Sequence, residues 1–119
     1  METINVAPVK PTISFKEFQK VDIRVGTIES VANIEKADKL VKLRVNFGDH
    51  QRTLAGIRTE RADPGEIIGR QALFVVNLEP REMMGEVSEG MLFDLGYADD
   101  ITPVLAVPER PVPDGVRAG

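Results

Sequence analysis

The sequence predicts an all-β protein folded as a small closed barrel, and three observations predict it. Several short segments alternate apolar and polar residues with the period of two expected of half-buried strands. Glycines, prolines and short polar runs separate these segments at the spacing of turns and loops. The chain has 119 residues, 42% of them apolar, enough for one core and too few for a second.

Residues 1–12 carry Pro8 and Pro11 and no periodicity, and read as an N-terminal arm ahead of a single domain at 13–119. Ser14-Phe15-Lys16-Glu17 fits a capping box, with the serine oxygen accepting from an early helical N–H. It predicts a helix of one to two turns with Phe15 and Phe18 on one face, packed on the core or on a second subunit. In VDIRVGTIESV, Val21, Ile23 and Val25 alternate with Asp22 and Arg24. The parity slips at Gly26, where a bulge or bend is expected in a long strand that curls. LVKLRVNF at 40–47 turns Val41, Leu43, Val45 and Phe47 inward and Lys42, Arg44 and Asn46 outward. GDH is a turn and QRTLAGI returns as a third strand. TERADPGEIIG is a loop with one helical turn near Pro64. Residues 71–77 do not alternate, so both faces of the fourth strand should be covered. MLFDLGY at 91–97 makes the fifth and PVLAV at 103–107 a further short one. The last segment, PERPVPDGVRAG, is too proline-rich for a helix or central strand. Five strands, a bent first strand and a brief insertion between the third and fourth fit the OB-fold: a five-stranded barrel, here with a short N-terminal helix and a C-terminal extension.

Catalytic chemistry finds little support. The single histidine, His50, sits in a turn, where an imidazole is ordinarily solvated surface. With no cysteine and one histidine, a metal site lacks its usual ligands. The glycines at 85, 90 and 96 do not match a phosphate-binding or dinucleotide fingerprint. Ser88 has no histidine near it in sequence, and the paired carboxylates Glu86 and Glu89 have no predicted cleft to work in. No cofactor is expected. No apolar run reaches the roughly 20 residues of a spanning helix, so no membrane insertion is expected. The start lacks a signal-peptide pattern, and the absence of cysteine fits a cytoplasmic protein.

The net charge is −4, which by itself disfavours a nucleic-acid partner. The charges are segregated, however: residues 36–61 carry seven bases against three acids, and residues 79–100 seven acids against Arg81. On an OB barrel the outward residues Lys42 and Arg44, with Lys39 and Arg52 nearby, would supply phosphate contacts. Aromatic residues are scarce, five Phe, one Tyr and no Trp, and most of the phenylalanines read as inward-facing. Base stacking along a single strand is therefore disfavoured relative to recognition of folded RNA by shape and backbone.

DIRVG at 22–26, ADKL at 37–40, AGI at 55–57, VVNLEP at 75–80, MMGEVSEGM at 83–91 and the closing VPDGVRAG resemble the structure-specific tRNA-binding domain family. That family includes stand-alone bacterial tRNA-binding proteins and the C-terminal domain of many methionyl-tRNA synthetases, with the export chaperone CsaA as a close cousin. The resemblance implies an OB-fold that binds tRNA by shape, as a homodimer, at times with an aminoacyl-tRNA synthetase. It implies that Lys39 contacts phosphate, Asn77 holds the rim after the fourth strand, and Arg81 lies on the loop facing the RNA. Ser88 and Met91 would line the binding surface, and Gly90 would admit close approach. Phe15, Phe18, Val104, Leu105, Val107 and Pro111 would build the dimer interface. Three departures remove a hydroxyl or a positive charge from the RNA side: Ala55 for serine, Met84 for a basic residue, and Glu79-Pro80-Arg81-Glu82 where relatives often read KPxK. The acidic charge and the methionines fit the CsaA-like alternative, in which the partner is unfolded polypeptide or export machinery.

Overall fold

The computed structural model describes residues 3–34, 40–58 (backbone alone over 56–58) and 64–119. Its main sheet is curled and all antiparallel, in the order β3-β2-β1-β4-β7. The strands are β1 (Ile23–Asn33), β2 (Leu40–Asn46), β3 (Gln51–Arg58), β4 (Gln71–Val75) and, after a hairpin of β5 (Arg81–Met83) and β6 (Glu86–Ser88), β7 (Met91–Leu92). A further ladder joins β8 (Asp94–Leu95) to β9 (Val104–Leu105), and β10 (Arg117–Ala118) adds to the start of β1. The order and curl are those of a five-stranded OB-like barrel.

The predicted alternation of β2 holds. Val41, Leu43, Val45 and Phe47 are buried, with Ile28, Leu54, Ile67, Ala72 and Phe74, in one core cluster. Each of the larger side chains among them contributes about 1.5–3 kcal/mol when fully buried. Ile67 comes from the 3₁₀ helix Pro64–Ile67, the helical turn expected near Pro64. β4 is covered on both faces, with Ala72, Phe74 and Val75 buried.

The first strand corrects the sequence reading. The register slips between Ile28 and Ser30, not at Gly26, which pairs regularly with Ala72. Gly26 serves packing instead: a Cβ there would lie 2.6 Å from Val45 Cγ1 and 2.9 Å from the Phe47 ring. The core face of β1 is thus Gly26 and Ile28, while Val25 is buried outside that cluster and Val21 is exposed ahead of the strand. The phenylalanines also depart from expectation: Phe47 and Phe74 are buried, but Phe15, Phe18 and Phe93 are exposed.

The helix α1 (Phe15–Phe18) is one turn, capped by Ser14 Oγ accepting from Glu17 N–H at 3.1 Å. The segment read as a fifth strand breaks at Phe93, and Tyr97–Asp99 forms a 3₁₀ turn after a left-handed Gly96. PVLAV forms a ladder over Val104–Leu105, and Leu73 N–H donates to Ala106 O at 3.0 Å. The proline-rich tail is fastened by side chains: Gln71 Nε2 donates to Val112 O at 2.6 Å, and Thr27 Oγ1 to Asp114 Oδ1 at 2.6 Å.

Candidate nucleic-acid interface

Alternation along β2 and β3 leaves an outward polar face beside a closed seam and an apolar cleft. On the face, Arg44 stands opposite Thr53 of β3 and Ser30 of β1. Its Nε donates to Gln51 Oε1 at 3.1 Å and its Nη1 to Thr53 Oγ1 at 2.9 Å. These partners are neutral, so they orient the guanidinium without offsetting its charge. Lys42, two residues along the same face, differs: its Nζ lies 3.3 Å from Glu86 Oε1 on the hairpin.

The seam joins β3 to residues 88–90. Glu89 N–H donates to Thr53 O at 2.9 Å and Thr53 N–H to Glu89 Oε1 at 3.0 Å. Ser88, 5% exposed, accepts from Ala55 N–H at 3.0 Å and donates to Gly90 O at 3.0 Å. Arg52 reaches across, its Nη1 donating to Val76 O at 2.5 Å and Glu89 O at 3.2 Å, with Nε on His50 Nε2 at 3.1 Å. Ser88 and Arg52 therefore spend their polar groups on closing the barrel. Gly90 admits its own chain closely: a Cβ there would sit 3.0 Å from Val75 O. Ala55, one of the departures, is buried against this seam and offers its N–H to Ser88.

Asn77 clamps the rim. Its Oδ1 accepts from Asp22 N–H at 2.8 Å and its Nδ2 donates to Lys20 O at 2.6 Å, tying the link between α1 and β1 to the end of β4. Beside it, the Arg24 guanidinium, 2.6 Å from Asp22 Oδ1, holds that carboxyl below its ordinary range.

The cleft, about 760 Å³, is lined by Leu78, Met83, Met91, Phe93 and Tyr97 among others, with Arg81, Ser88 and Gly90 on its wall. Burial there raises the Asp94 carboxyl above its ordinary range. The sequence candidates thus divide. Lys42 and Arg44 share the outer face, Arg81, Ser88, Gly90 and Met91 share the cleft, Arg52 spans the seam, and Asn77 stands on the rim. Lys39 lies outside the described residues. Glu86 was missed as a partner of Lys42, because pairs across 44 positions leave no periodic trace.

Of the residues assigned to a dimer, Phe15, Phe18, Val104, Val107 and Pro111 are exposed, Phe15 at 72%. Leu105, half-buried, packs against the core of its own chain. Among the described residues no group of three or more His, Asp or Glu could hold a metal ion. Among them, too, no helix is long and apolar enough to cross a membrane.

The family model described as "Putative tRNA binding domain" matches residues 23–117. Methionine–tRNA ligase from Chlorobium luteolum is 50% identical over 84 residues, 70% of this chain and 12% of the ligase. That from Parabacteroides distasonis is 38% identical over 108 residues, 91% of this chain and 16% of the ligase. The chain therefore spans less than a fifth of the length of these relatives. Among solved structures, the MetRS-related protein from Pyrococcus horikoshii superposes with a TM-score of 0.82 at 31% identity, covering 92% of this chain and all of that one. The chaperone CsaA from Bacillus anthracis superposes at 0.80 with 25% identity, covering 92% of this chain and all of that one.

Proposed function

The chain belongs to the tRNA-binding domain family, and from that membership we propose that it binds tRNA by shape and backbone through the outer face of its barrel. The observation that carries this reading is the family match over residues 23–117, which runs from the first strand into the last. Arg44 is the central phosphate contact, oriented by Gln51 and Thr53 and facing away from the core. Lys42 stands beside it on the same face, paired with Glu86; Lys39 is a further phosphate contact, and Arg81 extends the surface on the hairpin. Met91 and Gly90 form the adjoining lip, Asn77 fixes the rim, and Ser88 and Arg52 hold the surface in shape. The protein acts without catalysis, in the cytoplasm, as a homodimer whose interface includes the exposed Phe15, Phe18, Val104, Val107 and Pro111. Methionine–tRNA ligase relatives support action alongside an aminoacyl-tRNA synthetase.

A second reading is a CsaA-like chaperone for unfolded polypeptide. It is favoured by the apolar cleft with Met83, Met91 and Phe93 on its walls and by the CsaA superposition. Titration of the purified protein with bulk tRNA over a salt series separates the two. tRNA binding gives a log–log slope that becomes more negative with each phosphate contacted, by about 0.7–0.9 per contact. A flat slope, or no binding at low salt together with capture of an unfolded polypeptide, overturns the first reading in favour of the second. Size-exclusion chromatography at micromolar concentration tests the dimer; elution as a monomer refutes it.

A further inference from the structure

On the tRNA-binding reading above, we infer that Glu86 is an internal competitor for the RNA: its carboxylate occupies the Lys42 ammonium that a phosphate would otherwise take. The two outward cations of β2 differ in what meets them. Arg44 is met by a carboxamide and a hydroxyl at 3.1 and 2.9 Å, and Lys42 by a carboxylate at 3.3 Å. The side chains of Lys42 and Glu86 are 38% and 34% exposed, so the pair is half-buried yet open to displacement.

Glu86 reaches Lys42 because of the hairpin that carries it. β5 and β6 pair with each other from Arg81↔Ser88 to Met83↔Glu86. The turn between them is Met84-Gly85, with φ of 52° and 85°, the left-handed pair of a tight type I′ turn. Glu86, first after the turn, leans toward β2, while Ser88 anchors the hairpin's base to β3 through Ala55 N–H. A phosphate arriving at Lys42 must break this ion pair and then lie beside the released carboxylate. Both steps oppose binding, so Lys42 adds little to affinity while Glu86 keeps its charge. Displacing Glu86 leaves Arg44 and its partners in place, because they belong to β2 and β3.

The neighbouring Glu89 supplies a control. Its carboxylate accepts from Thr53 N–H at 3.0 Å, so it carries the same charge on the same lip while bonding the backbone. A general relief of negative charge would follow either glutamate; an internal competitor for Lys42 acts through Glu86.

The test is tRNA binding over a salt series by the full chain and by Glu86→Gln, Glu89→Gln, Lys42→Ala and Glu86→Gln/Lys42→Ala variants. Thermal unfolding shows that each is folded, and Glu86→Ala replaces Glu86→Gln if that variant is not. Glu86→Gln should tighten binding by about two- to fivefold, the span expected of one exposed ion pair. It should also make the log–log slope more negative by about 0.7–0.9, one further phosphate contact. Glu89→Gln should do less, and Lys42→Ala should remove the gain in the double variant, giving a non-zero coupling. Parent protein that binds tRNA while Glu86→Gln leaves affinity and slope unchanged overturns the inference alone, as does a gain that survives Lys42→Ala. No binding by any variant at low salt overturns the tRNA reading and the competitor with it.

Discussion

Replacing Ser88 by alanine tests how the barrel is closed. The hydroxyl lies between Ala55 N–H and Gly90 O, each at 3.0 Å, on a residue only 5% exposed. Alanine leaves one donor and one acceptor without their partner in a place with little access to water. Each such orphan costs about 1–3 kcal/mol, and a carbonyl tolerates the loss better than an N–H, so the sum is about 2–3 kcal/mol. Unfolding entropy of about 2.1 cal/mol/K per residue gives about 250 cal/mol/K for a chain of this length. The expected fall in Tm is therefore about 8–12 °C, measured by calorimetry or circular dichroism at neutral pH. A Tm within about 2 °C of the parent, together with weaker tRNA binding, would refute the reasoning. The hydroxyl would then be facing the RNA, as the family resemblance implied, rather than closing the seam.

Gly26→Ala would place its Cβ 2.6 Å from Val45 Cγ1. Overpacking of about 1–3 kcal/mol outweighs the roughly 0.5–1 kcal/mol gained by removing a strand glycine, so urea midpoints should fall; a stabilised variant would contradict the close approach. Met84, at φ 52°, occupies the first central position of the hairpin turn, where asparagine is preferred. Met84→Asn should stabilise the protein by about 0.5–1 kcal/mol in thermal unfolding, and a loss would mean that the methionine's packing matters more than its backbone. Asp94 carries a pH signature. Burial raises its carboxyl, so the ionised form is the penalised one in the folded state. Its favourable contribution is full below the ordinary carboxylate value near 4 and is lost as pH rises through the raised folded value. Asp94→Asn should therefore gain Tm over the parent at pH 7 and less at pH 4; equal differences at both would refute the sign.

What the sequence made legible was what repeats along the chain. The inward set Val41, Leu43, Val45 and Phe47 is readable because a strand with one buried face must alternate, and the Ser14 cap because it is local. Gly26 misled because a parity slip does not say whether a glycine makes a bulge or a gap for neighbours; the neighbours, Val45 and Phe47, lie on another strand. The hairpin at 81–88 was passed over because its strands are three residues each, too short to show a period. Its turn, Met84-Gly85, was the available signal. Contacts between distant positions left no trace at all: Asp114 on Thr27, Arg52 on Val76, Glu86 on Lys42. The site is legible to the same extent. Residue type and parity pointed Lys42 and Arg44 outward, but the sequence could not say that one would meet a carboxylate and the other an amide.

The most direct test of the outer face as the RNA surface is the salt dependence of tRNA binding by Arg44→Ala. Loss of one oriented phosphate contact should weaken binding and make the log–log slope shallower by about 0.7–0.9. Met91→Ala, which removes no charge from the apolar cleft, should leave the slope where it was. Coincident slopes for Arg44→Ala and the parent, with binding lost only in Met91→Ala, would contradict the assignment and move recognition into the cleft.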